Sequence, residues 1–373
     1  MAATPKEDPD SQPDAGGPAD QVCLVTGGAG FIGCAVSGLL AQRFDRVVAV
    51  DSLHPQVHAS GTRPALLDER VELVVGDVTD TGLWDALLPR VRPNVVLHLA
   101  AETGTAQSLR ESSRHAAVNV VGLTRMLDAL VRHEVRPLRM VLTSSRAVYG
   151  EGAWRPAADQ GDRDAYPGQR THQMLAAGRW DFADLEPRAA RAATTRPDPT
   201  SVYGSTKLAQ EHVLRAWSLA LGVEPAVLRL QNVYGPGQSL TNSYTGILSL
   251  FVRLARAGES IPVYEDGLIL RDFVAIDDVA QAVVAAAVHG TDGLVVDIGS
   301  GRPTSVLEAA RIIAQRHGAP PPHVTGQFRD GDVRASWADV GRAEQVLGWT
   351  PRVSLERGLD QLSTWVDTVL GTS

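Results

Sequence analysis

The stretch Val22-Cys-Leu-Val-Thr-Gly-Gly-Ala-Gly-Phe-Ile-Gly33 decides the fold of this 373-residue chain. Its first residues form a short apolar run that stops at glycines, as a buried parallel strand does. Gly27, Gly30 and Gly33 follow in a GxxGxxG spacing, and a helix is predicted from Phe31 to about Arg43. A strand, a glycine turn and a helix in this order predict the start of a dinucleotide-binding domain.

The three glycines have different predicted roles. Gly27 and Gly30 let the backbone turn tightly and approach a pyrophosphate, whereas Gly33 lets the helix pack against the strand. The phosphates then meet free N–H groups at the helix N-terminus, where the helix dipole favours negative charge. Asp51 ends the next predicted strand, where a carboxylate would accept the adenosine ribose hydroxyls and repel a 2′-phosphate. The sequence therefore predicts NAD rather than NADP.

Apolar runs alternate with helical stretches along much of the chain. The later predicted strands are 46–50, 71–75, 95–99, 139–143, 226–230 and 293–298, and helices are predicted near 80–90 and 114–133. Because strands joined by helices form right-handed crossovers, this alternation predicts an α/β fold with a Rossmann-type doubly wound parallel sheet.

Two regions break the alternation. Residues 151–199 contain no clear strand, and we interpret them as an insertion with one short helix around 172–184. Past residue 231 the pattern is irregular, which suits a smaller lobe over the carboxyl edge of the sheet. The predicted units are a disordered leader (1–20), an NAD-binding domain (21–230 plus 274–298, with the insertion at about 151–199) and a C-terminal substrate-binding lobe (231–273 plus 299–372).

Composition narrows the class of protein. The formal net charge of −8 at pH 7 and a pI near 5.7 argue against a nucleic-acid partner, since phosphate binding needs a concentrated basic face. The sequence contains no stretch of about 18 apolar residues, so we expect no membrane span. The leader lacks the apolar core of a signal peptide. Cys23 and Cys34 are predicted to be buried free thiols. We therefore expect a cytoplasmic protein without a metal site.

Tyr203-Gly-Ser-Thr-Lys207 carries the predicted chemistry. A tyrosine and a lysine four positions apart lie on one face of a helix. A free phenol has a pKa of about 10 and cannot act as a base near neutrality unless a cation lowers it. Lys207 and a positively charged nicotinamide ring would supply that field. Thr143-Ser144-Ser145 ends the fifth strand, at the edge where open α/β sheets bind ligands.

From about residue 21 onward, the chain resembles the extended short-chain dehydrogenase/reductases, the family of nucleotide-sugar epimerases and dehydratases. The matching segments are the glycine turn, Leu97-His-Leu-Ala-Ala101, Asn119, Ser144-Ser-Arg-Ala-Val-Tyr-Gly150, Tyr203 with Lys207, Gln231-Asn-Val-Tyr-Gly-Pro-Gly237, Arg271-Asp-Phe-Val274, Asp277-Asp-Val279 and Gly331-Asp-Val-Arg334.

The resemblance implies roles for named residues. Tyr203 would be the acid/base on the sugar O4, Lys207 its electrostatic partner and a nicotinamide-ribose ligand, and Ser145 would share the O4 hydrogen bond. Besides the glycines and Asp51, the residues expected along the cofactor are Phe31, Ile32, Asp77, Val78, Leu99, Ala100, Ala101 and Asn119. The residues expected at the substrate are Arg146, Asn232, Tyr244, Arg271 and Arg334. A homodimer through the helices near 114–133 and 201–221 is also implied.

Several of these residues have simpler interpretations. Asp77 could accept a hydrogen bond from the adenine amino group or be a plain helix N-cap. Arg271 could contact the substrate diphosphate or form a surface ion pair with Asp272. Asn232 and Arg334 would face the diphosphate, but Arg334 could equally play no part in the site. Arg146 could point toward the sugar, face solvent, or pair with an acid of the insertion such as Asp181 or Glu186.

The predicted reaction depends on two missing acids. In the related 4,6-dehydratases, an Asp-Glu pair follows the hydroxyl residue that corresponds to Ser145, whereas this chain has Arg146 and Ala147. Without a second acid/base, what remains is oxidation at C4, rotation of the 4-keto sugar and reduction on the other face. The sequence looks like the branch that includes dTDP-L-rhamnose 4-epimerase. A nucleotide-sugar 4-ketoreductase or dehydrogenase, and a non-catalytic NAD-sensing scaffold, are the alternatives.

Overall fold

The computed structural model describes residues 21–58, 60–158, 163–240 and 246–371, so the leader 1–20 and Tyr244 lie outside the described residues. The strands are β1 (Val22–Thr26), β2 (Arg46–Asp51), β3 (Glu72–Val75), β4 (Val95–His98), β5 (Arg139–Ser145), β6 (Trp154–Pro156), β7 (Leu185–Pro187), β8 (Glu224–Leu230), β9 (Asn232–Tyr234), β10 (Pro262–Val263), β11 (Leu270–Arg271), β12 (Phe273–Ala275), β13 (Val295–Ile298), β14 (Thr304–Ser305), β15 (His323–Val324) and β16 (Ala335–Ser336). The α-helices are α1 (Phe31–Leu40), α2 (Thr81–Val91), α3 (Thr105–Ser108), α4 (Ser112–Ala116), α5 (Gly122–Arg132), α6 (His172–Ala176), α7 (Val202–Leu221), α8 (Ile247–Arg256), α9 (Ile276–His289), α10 (Val306–His317), α11 (Gly341–Leu347) and α12 (Leu355–Gly371).

A seven-stranded sheet forms the centre of the molecule. Its strands run parallel in the order β13-β8-β5-β4-β1-β2-β3. Thr26 at the end of β1 pairs with Val50 of β2 on one side and with His98 of β4 on the other, so the three strands end at one level. The chain order reverses beside β1, and ligands bind in the crevice at such a switch point. The predicted Rossmann-type doubly wound sheet is confirmed.

Helices cover both faces of the sheet. Neighbouring strand residues point to opposite sides, and apolar side chains on each side need to be buried. Helices α1 and α9 cover the face to which Val25 points, and α2, α5 and α7 cover the face to which Leu24 points. Trp84 and Met126 are fully buried on the second face. Burying one such apolar side chain contributes about 1.5–3 kcal/mol, so these two layers dominate the stability of the domain.

Two elements differ from their predicted bounds in ways that matter for function. Strand β5 continues two residues beyond the prediction, to Ser145, because Ser144 and Ser145 pair with Arg229 and Leu230 of β8. The helix predicted over 114–133 is interrupted by a π-helical segment, Ala117–Val121. Single π-helical turns of this kind occur frequently at functional sites.

The insertion 151–199 contains regular structure that the sequence analysis missed. Strands β6 and β7 pair antiparallel, so the expectation of no strand was wrong. They were missed because three residues are too few to show a period. Helix α6 ends at Ala176, before the predicted boundary of 184. Gly178 follows with a φ of +66°, a conformation that stops a helix and that glycine adopts without strain.

The chain beyond β8 builds a second apolar cluster beside the sheet. Helices α8, α10 and α12 pack around Phe251, Ile313 and Leu359, all of which are buried. Short strand pairs connect these helices, and β12 pairs with β9, which follows β8 directly in the chain. Asn232 at the start of β9 is thereby held near the carboxyl edge of the sheet. No helix within the described residues is long and apolar enough to cross a membrane.

Candidate active site

The glycine turn fits a bound dinucleotide. Gly27 has a φ of +68°, and a Cβ atom there would lie 2.7 Å from the backbone N of Ala100. A Cβ atom on Gly33 would lie 2.5 Å from the carbonyl oxygen of Gly27, so only glycine lets α1 pack this closely against the turn. At Gly30 a Cβ atom would meet only the Gly27 carbonyl oxygen, at 3.2 Å. The turn is therefore closely packed at Gly27 and Gly33, with space beside Gly30.

Asp51, which the sequence predicts to bind the adenosine ribose, is held by backbone hydrogen bonds at the end of β2. Its carboxylate oxygens accept hydrogen bonds from the backbone N–H of Ala29 (3.0 Å) and of Leu53 (2.9 Å), and His58 Nε2 lies 3.7 Å away. Each oxygen keeps a further lone pair for a ribose hydroxyl. Helix α1 starts at the glycine turn without a side-chain cap, so its first N–H groups remain available to a pyrophosphate.

The other residues predicted along the cofactor surround the same crevice. Phe31 and Ile32 form the first turn of α1, and Leu99, Ala100 and Ala101 follow β4. Val78 is buried after β3.

Asp77 accepts hydrogen bonds from the N–H and the hydroxyl of Thr79, both at 2.7 Å. The N-cap of α2 is Asp80, so the interpretation of Asp77 as a plain helix N-cap was wrong.

Asn119 connects the β4 loop to the catalytic helix. Its Oδ1 accepts from the backbone N–H of Glu102 (2.8 Å), and its Nδ2 donates to the Glu102 carbonyl (3.0 Å) and to Thr206 Oγ1 (2.9 Å). The amide donors are thus used within the protein. Asn119 lies in the π-helical segment, whose wider turn carries it to this position. Its contact with the cofactor stays a prediction.

The predicted catalytic residues meet at the carboxyl edge of the sheet. Ser145 ends β5, and Tyr203 and Lys207 lie in the first turns of α7. The Ser201 hydroxyl caps α7 by accepting from the N–H of Gly204 at 3.0 Å. A Cβ atom on Gly204 would lie 2.5 Å from the Ala147 carbonyl oxygen, so this glycine lets α7 approach the segment after β5.

Burial and the neighbouring polar groups shift the pKa of the Tyr203 hydroxyl in opposite directions. Burial raises its pKa above the usual value, while a hydrogen bond with Ser145 and the positive charge of Arg146 lower it. Burial lowers the pKa of Lys207 to about 7, and the Glu211 carboxylate opposes that shift. His98 is held neutral, because burial and the charge of Lys207 lower its pKa to about 3. The net effect is a raised pKa for Tyr203, so its phenol is protonated at neutral pH, whereas Lys207 titrates close to neutrality.

Arg146 points into the site rather than toward solvent. Its Nε donates to Asn232 Oδ1 at 2.7 Å. The alternatives of a solvent-facing side chain or an ion pair with Asp181 or Glu186 were wrong, because Asp181 bonds Arg334 and Glu186 bonds Arg155. Burial and the nearby Arg271 lower the pKa of Arg146 to about 10, so it stays cationic at neutral pH.

Arg271 is buried, and its ion-pair partner is Asp332 rather than Asp272, the partner in the alternative interpretation. Its Nη2 donates to Asp332 Oδ1 at 2.6 Å. Asp272 instead accepts from Ser300 and from the backbone N–H of Ala338, so the proposed surface pair of Arg271 with Asp272 was wrong.

Arg334 is surrounded by acids. Its guanidinium donates to Asp181 (2.7 Å), Asp266 (2.7 Å) and Glu265 (3.1 Å). Arg170, from the insertion, also binds Glu265, at 2.8 and 2.9 Å. These donors are therefore committed to carboxylates, and the predicted diphosphate contact of Arg334 is not favoured by this arrangement. Arg146, Asn232 and Arg271 lie together, whereas Arg334 belongs to an ionic cluster that joins the insertion to the second lobe.

Glu211 is a polar residue of the site that the sequence analysis missed. It follows Lys207 by four positions, a spacing that places both on one helix face and that could have revealed it. The carboxylate accepts from Ser144 Oγ (2.5 Å) and from Arg229 Nε (3.0 Å) and Nη2 (2.7 Å). His98 and Gln210, whose side chains lie 3.1 Å apart, complete this buried layer; His98 lies in a segment that carries the family resemblance, but neither residue was assigned a role from the sequence.

An NAD-binding fold that carries a serine, a tyrosine and a lysine at its carboxyl edge defines the class, a dehydrogenase/reductase-type enzyme. The model of the NAD dependent epimerase/dehydratase family matches residues 23–299. The chain belongs to that family, and NAD is its cofactor.

Similar proteins narrow the assignment. The chain is 59% identical to a dTDP-L-rhamnose 4-epimerase of Burkholderia thailandensis, over 92% of this chain and 94% of that one. It is 31% identical to a UDP-glucose 4-epimerase of Mycolicibacterium smegmatis, over 90% and 95%. The crystal structure of a Thermotoga maritima UDP-glucose 4-epimerase with UDP-glucose superposes with a TM-score of 0.77 at 29% identity, covering 94% of this chain and all of that one. The predicted family, the NAD cofactor and the nucleotide-sugar epimerase assignment are confirmed.

Proposed function

We propose that the protein is a dTDP-L-rhamnose 4-epimerase, which interconverts dTDP-L-rhamnose and its C4 epimer, dTDP-6-deoxy-L-talose. The observation that carries this proposal is the 59% identity to the Burkholderia thailandensis enzyme of that name over nearly its whole length. The site has what a C4 epimerisation requires, namely one acid/base beside the cofactor crevice and no second one after Ser145. The positions where a dehydratase has its acids hold Arg146 and Ala147.

Three side chains act at the O4 oxygen of the sugar. Tyr203 takes the proton from O4 as C4 becomes a carbonyl, and returns it when C4 is reduced. Ser145 shares the hydrogen bond to O4, and Lys207 provides the positive charge that makes the phenol more acidic. The glycine turn and Asp51 would hold NAD, which would accept the hydride from C4 and return it. Arg146 and Asn232 would contact the sugar or diphosphate while the 4-keto sugar rotates.

Further features belong to the proposal. The division into an NAD-binding domain (21–230 plus 274–298) and a substrate-binding lobe (231–273 plus 299–372) is supported by the separate apolar cluster around Phe251, except that Ala343, Leu347 and Trp349 pack with the core of the sheet. A cytoplasmic homodimer is in keeping with the family resemblance and with exposed apolar residues such as Leu219 on α7. Tight retention of NAD is expected because the cofactor is regenerated in each turnover.

A panel of dTDP- and UDP-hexoses tests the proposal. We expect dTDP-L-rhamnose to be converted without net change in NADH, with inversion at C4 observed by NMR. Tyr203→Phe should bind substrate but lose about 10²–10⁴-fold in kcat, the usual contribution of a general acid/base. Tyr166→Phe, which removes a phenol of the insertion, should retain activity. Turnover of UDP-glucose but not of dTDP-L-rhamnose would reassign the substrate, and net consumption of NADH would indicate a reductase.

A further inference from the structure

Lysine is almost absent from this protein. The chain contains two lysines, Lys6 and Lys207, whereas it uses arginine elsewhere. Lys207 is only 2% exposed, and none of the described carboxylates lies within ion-pair distance of its amine. Arginine remains protonated in proteins, whereas a buried lysine shifts its pKa readily. A titratable amine is therefore present one turn after Tyr203 on α7.

Glu211 supplies the negative charge that favours the protonated form of the Lys207 amine. Both side chains lie on the inner face of α7, one turn apart, and Glu211 is 3% exposed. Its carboxylate is held from two neighbouring strands, by Ser144 of β5 at 2.5 Å and by Arg229 of β8 at 2.7 Å. A buried carboxylate fixed by three donors has no freedom to turn away from Lys207.

The remaining charged and titratable groups of this layer are few. Arg229 stacks on the ring of Tyr149 with 4.8 Å to the ring centre, and the Tyr149 hydroxyl donates to Asp297 at 2.7 Å. His98 of β4 approaches Lys207 from the sheet, and burial together with the Lys207 charge keeps it neutral. Burial raises the pKa of Asp297 to about 7, so it carries only a partial charge near neutrality. Glu211 is thus the main source of negative potential at Lys207.

We propose that Glu211 is a positioning residue that keeps the Lys207 ammonium charged and oriented toward Tyr203 and the nicotinamide ribose, with Ser144 and Arg229 fixing its carboxylate. The catalytic consequence rests on the proposed function, whereas the charge on Lys207 does not. Burial lowers the pKa of Lys207 to about 7 although the Glu211 carboxylate raises it, so the support that Glu211 gives is partial. Removal of Glu211 would leave the amine neutral at pH 7, and Tyr203 would lose a cation that lowers its pKa.

The scarcity of lysine makes a direct experiment possible. In NAD-loaded protein labelled with ¹⁵N at the lysine side chains, a Lys6→Arg background leaves Lys207 as the only labelled amine. Its signal titrates with pH and gives its pKa without substrate. We expect Glu211→Gln to lower that pKa by at least about one unit, the smallest usual effect of losing a nearby opposite charge. Glu211→Asp should restore most of it, and the basic limb of the pH profile of kcat should move in parallel.

Two controls separate this role from a merely structural one. Glu211→Gln leaves the buried Arg229 unpaired and could fail to fold, so Glu211→Gln with Arg229→Met removes both charges together. Glu224→Gln deprives another buried arginine, Arg139, of its partner (2.8 Å) at the opposite end of β8 and should leave the Lys207 titration unchanged.

An unchanged pKa of Lys207 in folded Glu211 variants would overturn the proposal. A shifted pKa in a protein that turns over no dTDP-sugar would instead refute only the proposed function.

Discussion

Arg146 shows how much a single side chain contributes to substrate binding. It follows Ser145, it is partly buried, and Asn232 is its one hydrogen-bond partner among the described residues, which leaves other donors for a ligand. We expect Arg146→Ala to raise KM for the nucleotide sugar, or to release 4-keto sugar while reduced cofactor stays on the protein. Losing a charge-assisted hydrogen bond costs about 1.5–3 kcal/mol, or roughly 10- to 150-fold in kcat/KM.

Steady-state kinetics together with NADH absorbance measure this effect. Arg155→Ala is the matched control, because that arginine forms an exposed pair with Glu186 and should behave as wild type. If Arg146→Ala also behaves as wild type, the insertion rather than Arg146 selects the sugar. No loss of water from C6 is expected with a 6-hydroxy substrate such as dTDP-glucose, since neither Arg146 nor Ala147 has a carboxylate to remove the C5 proton.

Helix α1 offers a test of how an element positions the cofactor. It contains two glycines in different surroundings. A methyl group at Gly33 would lie 2.5 Å from backbone carbonyl oxygens of Gly27 and Gly28, which cannot move without opening the turn. At Gly38 it would meet only the Asp68 side chain, at 3.1 Å. We therefore expect Gly33→Ala to lose bound NAD and to lower Tm.

Gly38→Ala is the control within the same helix. It should keep NAD and change the free energy of unfolding by no more than about 1 kcal/mol, in the stabilising direction, because alanine favours helix. NAD released on denaturation and thermal unfolding are the measurements. Equal NAD content in the two variants would mean that close packing of α1 on the turn is not required for cofactor binding.

At the level of the whole molecule, the exposed face of α7 predicts how two copies associate. Leu219, in the last turn of α7, is 87% exposed, and Val121 beside α5 is 41% exposed. Paired helices from two chains would cover both. We expect Leu219→Asp to halve the mass observed by sedimentation velocity. Leu268→Asp, at an exposed leucine of the second lobe, should leave the mass unchanged. A wild-type monomer would contradict the predicted homodimer.

The sequence by itself determined the central sheet and the cofactor, and it placed the predicted catalytic pair on one helix face. These features depend on patterns that are local in the chain. Gly27, Gly30 and Gly33 lie within one turn and helix, Asp51 ends the adjacent strand, and Tyr203 and Lys207 are one helical turn apart. Local periodicity carries such information because backbone geometry alone brings the residues together.

The tertiary structure alone decided which distant charges meet. Arg334 binds Asp181, 153 residues earlier in the chain, and Arg229 binds Glu211 only because β8 lies beside β5 under α7. No local period relates Arg334 to Asp181 or Arg229 to Glu211, so the sequence left Arg334 as a substrate contact and did not show the partners of Glu211. The pairing is fixed by packing and by the cost of burying an unpaired charge, which only the folded chain can satisfy.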